Sequence, residues 1–116
     1  MKILNRYTGA VILEVPRDSL IGANLRGTDL SNADLRNANL SGAELCYANL
    51  SGADLTGANL IGAKLDYANL GYAILSKANL RGADLTGADT SYAYIGNGTN
   101  MSGATISLGQ KVVTLP

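Results

Sequence analysis

The stretch ANLSGADLTGANLIGAKLDYANL, residues 48–70, decides the fold. Within it leucine returns at every fifth position, as Leu50, Leu55, Leu60, Leu65 and Leu70, and alanine stands two residues before each. Outward from there the leucines continue without a slip from Leu20 to Leu85, and Thr90 and Ile95 then hold the same slot. The alanines run from Ala23 to Ala93, with Thr28 the one exception. The unit reads Ala-(Asp/Asn)-Leu-(Ser/Thr/Arg)-Gly, repeated head to tail, and self-similarity of this kind dictates the architecture before any other feature.

A five-residue period excludes an amphipathic helix, because positions five apart drift by roughly 140° per repeat and the leucines would spiral around every side. In an extended segment alternate side chains share a side, so Ala53 and Leu55 point together. The step from Leu55 to Ala58 is odd, and a straight strand would send the next pair to the opposite side. The chain must therefore turn between them, at Ser51-Gly52, Thr56-Gly57 and Thr86-Gly87, where turn residues stand. Repeated corners of one hand wind the chain into a coil, and coils stack at about 4.8 Å with Leu and Ala inside. Columns twenty residues apart, Gly22, Gly42, Gly62 and Gly82, Asn39, Asn59 and Asn79, Tyr47 with Tyr67, and Tyr72 with Tyr92, suggest twenty residues per coil.

The repeat resembles that of the pentapeptide-repeat proteins over about two-thirds of the chain. The resemblance implies an all-β fold, a right-handed quadrilateral parallel β-helix with four pentapeptides per coil and about five coils. The non-repeating ends complete the expected organisation. Residues 1–17 read as a hairpin-like N-terminal cap, with β-prone runs at 1–5 and 10–15 separated by Thr8-Gly9 and closed by Pro16. Residues 18–108 carry the repeat, with Asp18 a transition residue in the first alanine slot and a one-residue insertion within 96–100. Residues 109–116 form an edge strand in which Val112, Val113, Thr114 and Leu115 lead to a closing proline.

Composition narrows the chemistry. With neither phenylalanine nor tryptophan the core must be leucine and alanine, which is all a narrow solenoid needs. Nine basic and nine acidic residues give no net charge, hence no field for nucleic acid or an anionic membrane. No apolar run has the length of a transmembrane helix and no signal peptide is legible, so the expected location is the cytoplasm, or the virion if phage-encoded. There is no histidine, and the single cysteine, Cys46, falls in an outward slot where it is read as exposed and incidental. Asp34 and Asp54 stack without a base between them, but two carboxylates fall short of a calcium site, and Glu44, Lys64 and Asp84 alternate in sign down one column. The glycines follow the corners and form no phosphate-binding loop. No catalytic residue, metal site or cofactor is expected, and the chain reads as a non-enzyme.

What remains is a structural or protein–protein interaction module with flat faces, potentially a component of a larger assembly such as a phage particle. The candidate partner face has Leu30, Leu50, Leu70 and Thr90 on its inside and Asn49, Ser51, Asn69, Gly71, Asp89 and Ser91 outside. Tyr47 and Tyr67 flank one of its corners, Tyr72 and Tyr92 the other, and Tyr94 follows just past the second. Tyrosine offers large contact area with a polar tip at modest entropic cost. The partner is another protein of unknown identity, or a second copy through an end or this face. The alternative, a DNA mimic that regulates gyrase as some members of the resembled family do, is disfavoured by neutrality and short length.

Overall fold

The computed structural model describes residues 1–108 and 111–116; the first two residues of the expected C-terminal segment, 109 and 110, lie outside the described residues. Backbone pairing is parallel between positions twenty apart. Asn24, Glu44, Lys64 and Asp84 form one column, with Asp29, Asn49, Asn69 and Asp89 in a second and Asp34, Asp54, Ile74 and Tyr94 in a third. A fourth runs through Asn39, Asn59 and Asn79 to Asn100. The body so formed measures 38 × 25 × 25 Å, and no α-helix occurs among the described residues. It is an all-β coil whose interior is the leucine and alanine of the repeat: Leu30, Leu40, Leu45, Leu50, Leu55, Leu60, Leu65, Leu70 and Leu80 are all 0% exposed.

Each corner closes in the same way. The Ala53 N–H donates to the Leu50 carbonyl across Ser51-Gly52 at 3.0 Å, and the second central residue, Gly52, takes φ of +67°, the left-handed value that a type II turn requires there. The carboxamide or carboxylate ahead of the leucine bends the chain into that corner. Asn49 Oδ1 accepts from the Ser51 N–H at 3.0 Å, and Asp54 Oδ1 accepts from the Thr56 N–H at 3.0 Å and its hydroxyl at 2.6 Å. The preference for Asp or Asn in that slot is therefore an Asx-turn requirement repeated down the coil, a role not read from the sequence. The same bonds hold Asp29 and Asp89 below the usual carboxylate range, through the hydroxyl and then the backbone N–H of Ser31 and Ser91. What they contribute to stability is present above that range and lost as the pH falls through the lowered folded values.

The ends are built differently. Strands β1 (Lys2–Asn5) and β2 (Val11–Glu14) pair antiparallel with an irregularity between Ile3 and Leu4, and β1 also pairs antiparallel with β3 (Ala33–Asp34). Ile3 is buried against the core cluster, with Ile12, Leu13 and Val15 partly buried beside it. At the other end β4 (Asp84–Leu85) pairs parallel with β5 (Thr105–Leu108), on which β6 (Lys111–Thr114) lies antiparallel. The extra residue can be located. The Leu75 N–H bonds Tyr94, keeping the ladder's offset, whereas the Lys77 N–H bonds Asn97 where the repeat would supply Gly96. The register thus slips between Tyr94 and Asn97, and Asn79 consequently pairs with Asn100.

Two inside–outside expectations are corrected here. Thr90 and Ile95 occupy leucine slots but are exposed, because the repeat has ended one coil on and no leucine layer closes over them. Asp18, the transition residue in the first alanine slot, is exposed, and no carboxylate enters the core among the described residues. Cys46, expected outside, is 2% exposed, and its Sγ–H donates to Asp66 Oδ1 of the next coil at 2.9 Å. The side chain packed over it, not the thiol's own slot, buries it. Burial pushes the Cys46 thiol up, and the hydrogen bond to and charge of Asp66 push the same way. A raised thiol pKa favours the fold fully below the ordinary thiol range, and that contribution is lost as the pH rises through the folded value. Iodoacetamide should therefore label Cys46 at least about tenfold more slowly in the native protein than in guanidinium. Equal rates would place the thiol outside.

Candidate partner-binding surface

The structure stacks the tyrosines of the candidate face in two pairs. Tyr47 and Tyr67 have ring centroids 5.2 Å apart and planes at 10°, and Tyr72 and Tyr92 lie 5.0 Å apart at 16°. Both spacings fall in the range for stacked aromatic pairs. Stacking does not hide them: Tyr47 is 61% exposed, Tyr67 55%, Tyr72 66% and Tyr92 79%, with Tyr94 at 55%. All four paired tyrosines occupy the left-handed slot of a corner, with φ between +58° and +60°. Most corners place glycine there, as at Gly22, Gly42 and Gly62. Sequence reading located the rings at the corners but missed that the slot itself disfavours them.

Between the pairs the face is uncharged except at Asp89. Asn49 and Ser51 are half-buried, Asn69 is exposed and bonds the Gly71 N–H at 2.9 Å, and the Ser91 N–H bonds Asp89 Oδ1 at 2.9 Å. Gly71, expected outside, is buried: a Cβ there would stand 3.1 Å from Asn69 Oδ1 and 3.6 Å from the Ser91 carbonyl oxygen. The face around the second corner carries a feature not singled out beforehand. Ile74 and Tyr94 pair in the ladder and fill the slot that holds Asp, Asn, Glu or Lys in the other repeats between Asn24 and Asp89. That break in the pattern was legible. Together with Tyr72 and Tyr92 they extend the aromatic surface around the corner.

Elsewhere two carboxylates are met by arginines. Arg36 binds Asp34 through Nε at 2.9 Å and a terminal nitrogen at 2.8 Å, which holds the Asp34 carboxyl below its usual range. Arg6, from the N-terminal segment, donates to the Gly52 carbonyl at 3.0 Å, stands 3.9 Å from Asp54 and lies 4.8 Å over the Tyr7 ring. The stacked carboxylates of Asp34 and Asp54 are thus each served by an arginine, where the sequence showed no base between them. Glu44, Lys64 and Asp84 neighbour one another in their ladder, yet no ion pair forms among them. Among the described residues no cluster of three or more His, Cys, Asp or Glu could hold a metal ion.

The arrangement is an all-β coil built from stacked five-residue repeats. The chain belongs to the pentapeptide-repeat family: the model for pentapeptide repeats matches eight copies over residues 19–52 and 63–94, more than half of the chain. Among solved structures it is similar to alr5209, a pentapeptide repeat protein from Nostoc Pcc 7120, with 38% identity over 72% of this chain and 68% of that one and a TM-score of 0.69. Rfr23 from the cyanobacterium Cyanothece 51142 is 43% identical over 66% of this chain and 52% of its own, with a TM-score of 0.44. HetL from Nostoc sp. strain PCC 7120, a pentapeptide repeat protein involved in heterocyst differentiation regulation, is 46% identical over 72% and 38%, with a TM-score of 0.40. The chain therefore spans about half of Rfr23 and less than half of HetL. No curated protein sequence matches it.

Proposed function

We propose that this protein is a non-enzymatic interaction module that binds another protein through the tyrosine-flanked face. In this reading the coil is right-handed, four-sided and about five turns tall, and its rigidity presents the face within a larger assembly such as a phage particle. The observation that carries the reading is the left-handed backbone of the four exposed tyrosines. A non-glycine residue in that conformation costs about 1–2 kcal/mol, while a stacked aromatic pair returns only about 0.5–1.5 kcal/mol shared between two residues. For stability alone glycine would serve these corners better. Exposed aromatic rings held at that cost are explained by what they contact.

The test is a purification of the protein from its native source, followed by affinity measurement with whatever copurifies. Tyr47→Gly combined with Tyr67→Gly should weaken that affinity at least about tenfold, with the melting temperature within a few degrees of the parent because glycine suits the slot. Unchanged affinity in the folded variant would sink the reading. The second reading, a DNA-mimicking regulator of gyrase, requires an acidic surface along the molecule, whereas net charge is zero and two of its outward carboxylates face arginines. Stoichiometric protein should leave gyrase supercoiling unaffected; inhibition would reverse the ranking.

A further inference from the structure

The corner that carries Tyr72 runs Asn32, Gly52, Tyr72, Tyr92 down the coil, all in the left-handed slot. In this slot a side chain leans over the next coil. A Cβ placed on Gly87 would meet the Tyr67 ring, and one placed on Gly52 would meet Asn32 Oδ1. Gly52 has no side chain, so no ring lies on Tyr72 as Tyr72 lies on Tyr92, and of the ladder side chains Asn32 borders the gap. A groove of about 560 Å³ occupies that place, lined by Tyr72 and Ile74 of the coil together with Arg6 and Tyr7 of the N-terminal segment. Tyr47 also stands below a glycine, Gly27, but a Cβ there would meet nothing within 4 Å. The N-terminal segment, tied on from 46 residues away by the Arg6 bond to Gly52, adds lining at the Tyr72 gap that makes it a slot.

The lining sets the chemistry of its occupant. Tyr72, stacked on Tyr92 and 66% exposed, contributes an aromatic ring to the lining and Ile74 an apolar side chain. Arg6 presents a guanidinium whose charge is balanced by Asp54 and whose position is fixed by the Gly52 carbonyl and the Tyr7 ring, so the slot does not call for an anion. Asn32, half-buried, makes no side-chain hydrogen bond among the described residues and can meet a polar edge. We infer that the slot receives an uncharged aromatic side chain of a partner polypeptide, which continues the tyrosine stack upward by one ring. A polypeptide rather than a free ring is favoured because two of the lining residues have exposed neighbours outside the groove, Tyr92, at 79%, stacked on Tyr72, and Tyr94, at 55%, paired with Ile74, which the chain carrying the ring would cover. This rests on the reading of the tyrosine-flanked surface as protein-binding and names the chemistry of what it binds.

The probe is N-acetyltryptophanamide, which can be excited beyond the absorption of the six tyrosines in a protein that contains no tryptophan. Titrated into labelled protein it should move the Ile74 methyl resonances upfield, and N-acetylleucinamide should act at least tenfold more weakly. Two variants carry the test. Gly52→Tyr fills the slot from within, in a position where this chain accepts tyrosine four times and where the obstacle is only the far end of Asn32. Tyr72→Gly removes the platform while suiting the backbone. Each should reduce the response at least tenfold with the circular dichroism spectrum retained. A wild-type response in folded Gly52→Tyr or Tyr72→Gly, an equal response to the leucine probe, or movement at Tyr47 with Ile74 still would overturn the slot. Tyr47→Gly with Tyr67→Gly should keep the probe response. A copurified partner lost in that variant but kept by Gly52→Tyr would uphold the face and overturn the slot, so the two failures are told apart.

Discussion

Leu55→Asp is expected to abolish the fold. Leu55 is 0% exposed and lies in the leucine stack between Leu35 and Leu75, which are themselves 2% and 1% exposed. The substitution removes about 2 kcal/mol of apolar burial. It also places a carboxylate where no donor can reach it, at an effective penalty of several kcal/mol after relaxation. Against a total stability of about 5–15 kcal/mol for a domain of this kind, the folded state should be lost or nearly so at room temperature. Neutralising the acid does not rescue it, since a protonated carboxyl among leucines still lacks a partner. Asn59→Asp is the control: its slot faces outward, its Oδ1 accepts from the Ile61 N–H at 3.0 Å, and aspartate fills the same role at Asp29 and Asp54. Melts followed by circular dichroism should show no cooperative transition for the first and a midpoint within a few degrees of the parent for the second. Similar damage from both would mean that the inside and outside of the coil are misassigned.

Removal of residues 1–15 should convert the protein into one that associates end to end while keeping its β signal. β1 covers the free edge of β3, Ile3 is 2% exposed, and behind them Leu20 and Leu25 are only 1% and 4% exposed. Without the hairpin the leucines of the first coil meet water, at about 1.5–3 kcal/mol for each fully uncovered side chain. The backbone of residues 33–34 is also left as an unpaired edge able to template another chain. The loss reaches further than the first coil, because the Arg6 bond to the Gly52 carbonyl goes with it. Sedimentation equilibrium should show mass rising with concentration, and the melting temperature should fall by more than ten degrees. A stable monomer with an unchanged midpoint would show that the hairpin does not serve as a cap.

The repeat made most of the interior legible. Leucine at every fifth position with alanine two before it fixes which side chains share a side, and the odd step between units fixes where the chain turns, so the leucines from Leu20 to Leu85 are found inside. The tyrosine pairs were legible for the same reason, as residues twenty apart. The Asx turns were not read, although the alternation of Asp and Asn in one slot carries the signal, because both residues also satisfy the simpler description of an outward polar position. Ile74 and Tyr94 could have been found as the two departures from that slot's polarity.

What the sequence by itself determined is everything that depends on a fixed offset: the coil, its register, its corners and the leucine interior. What only the tertiary structure decided depends on which side chain covers which, and a period does not encode that. Asp66 lies over Cys46 and takes an outward thiol out of solvent. The end of the repeat leaves Thr90 and Ile95 open though they stand in core slots. Arg6 and Tyr7, outside the repeat altogether, come to rest beside Gly52 and Tyr72. Periodic neighbours are set by the winding of the chain, whereas these contacts are set by side-chain length and by the packing of ends that have no successor, so they appear only once the chain is folded.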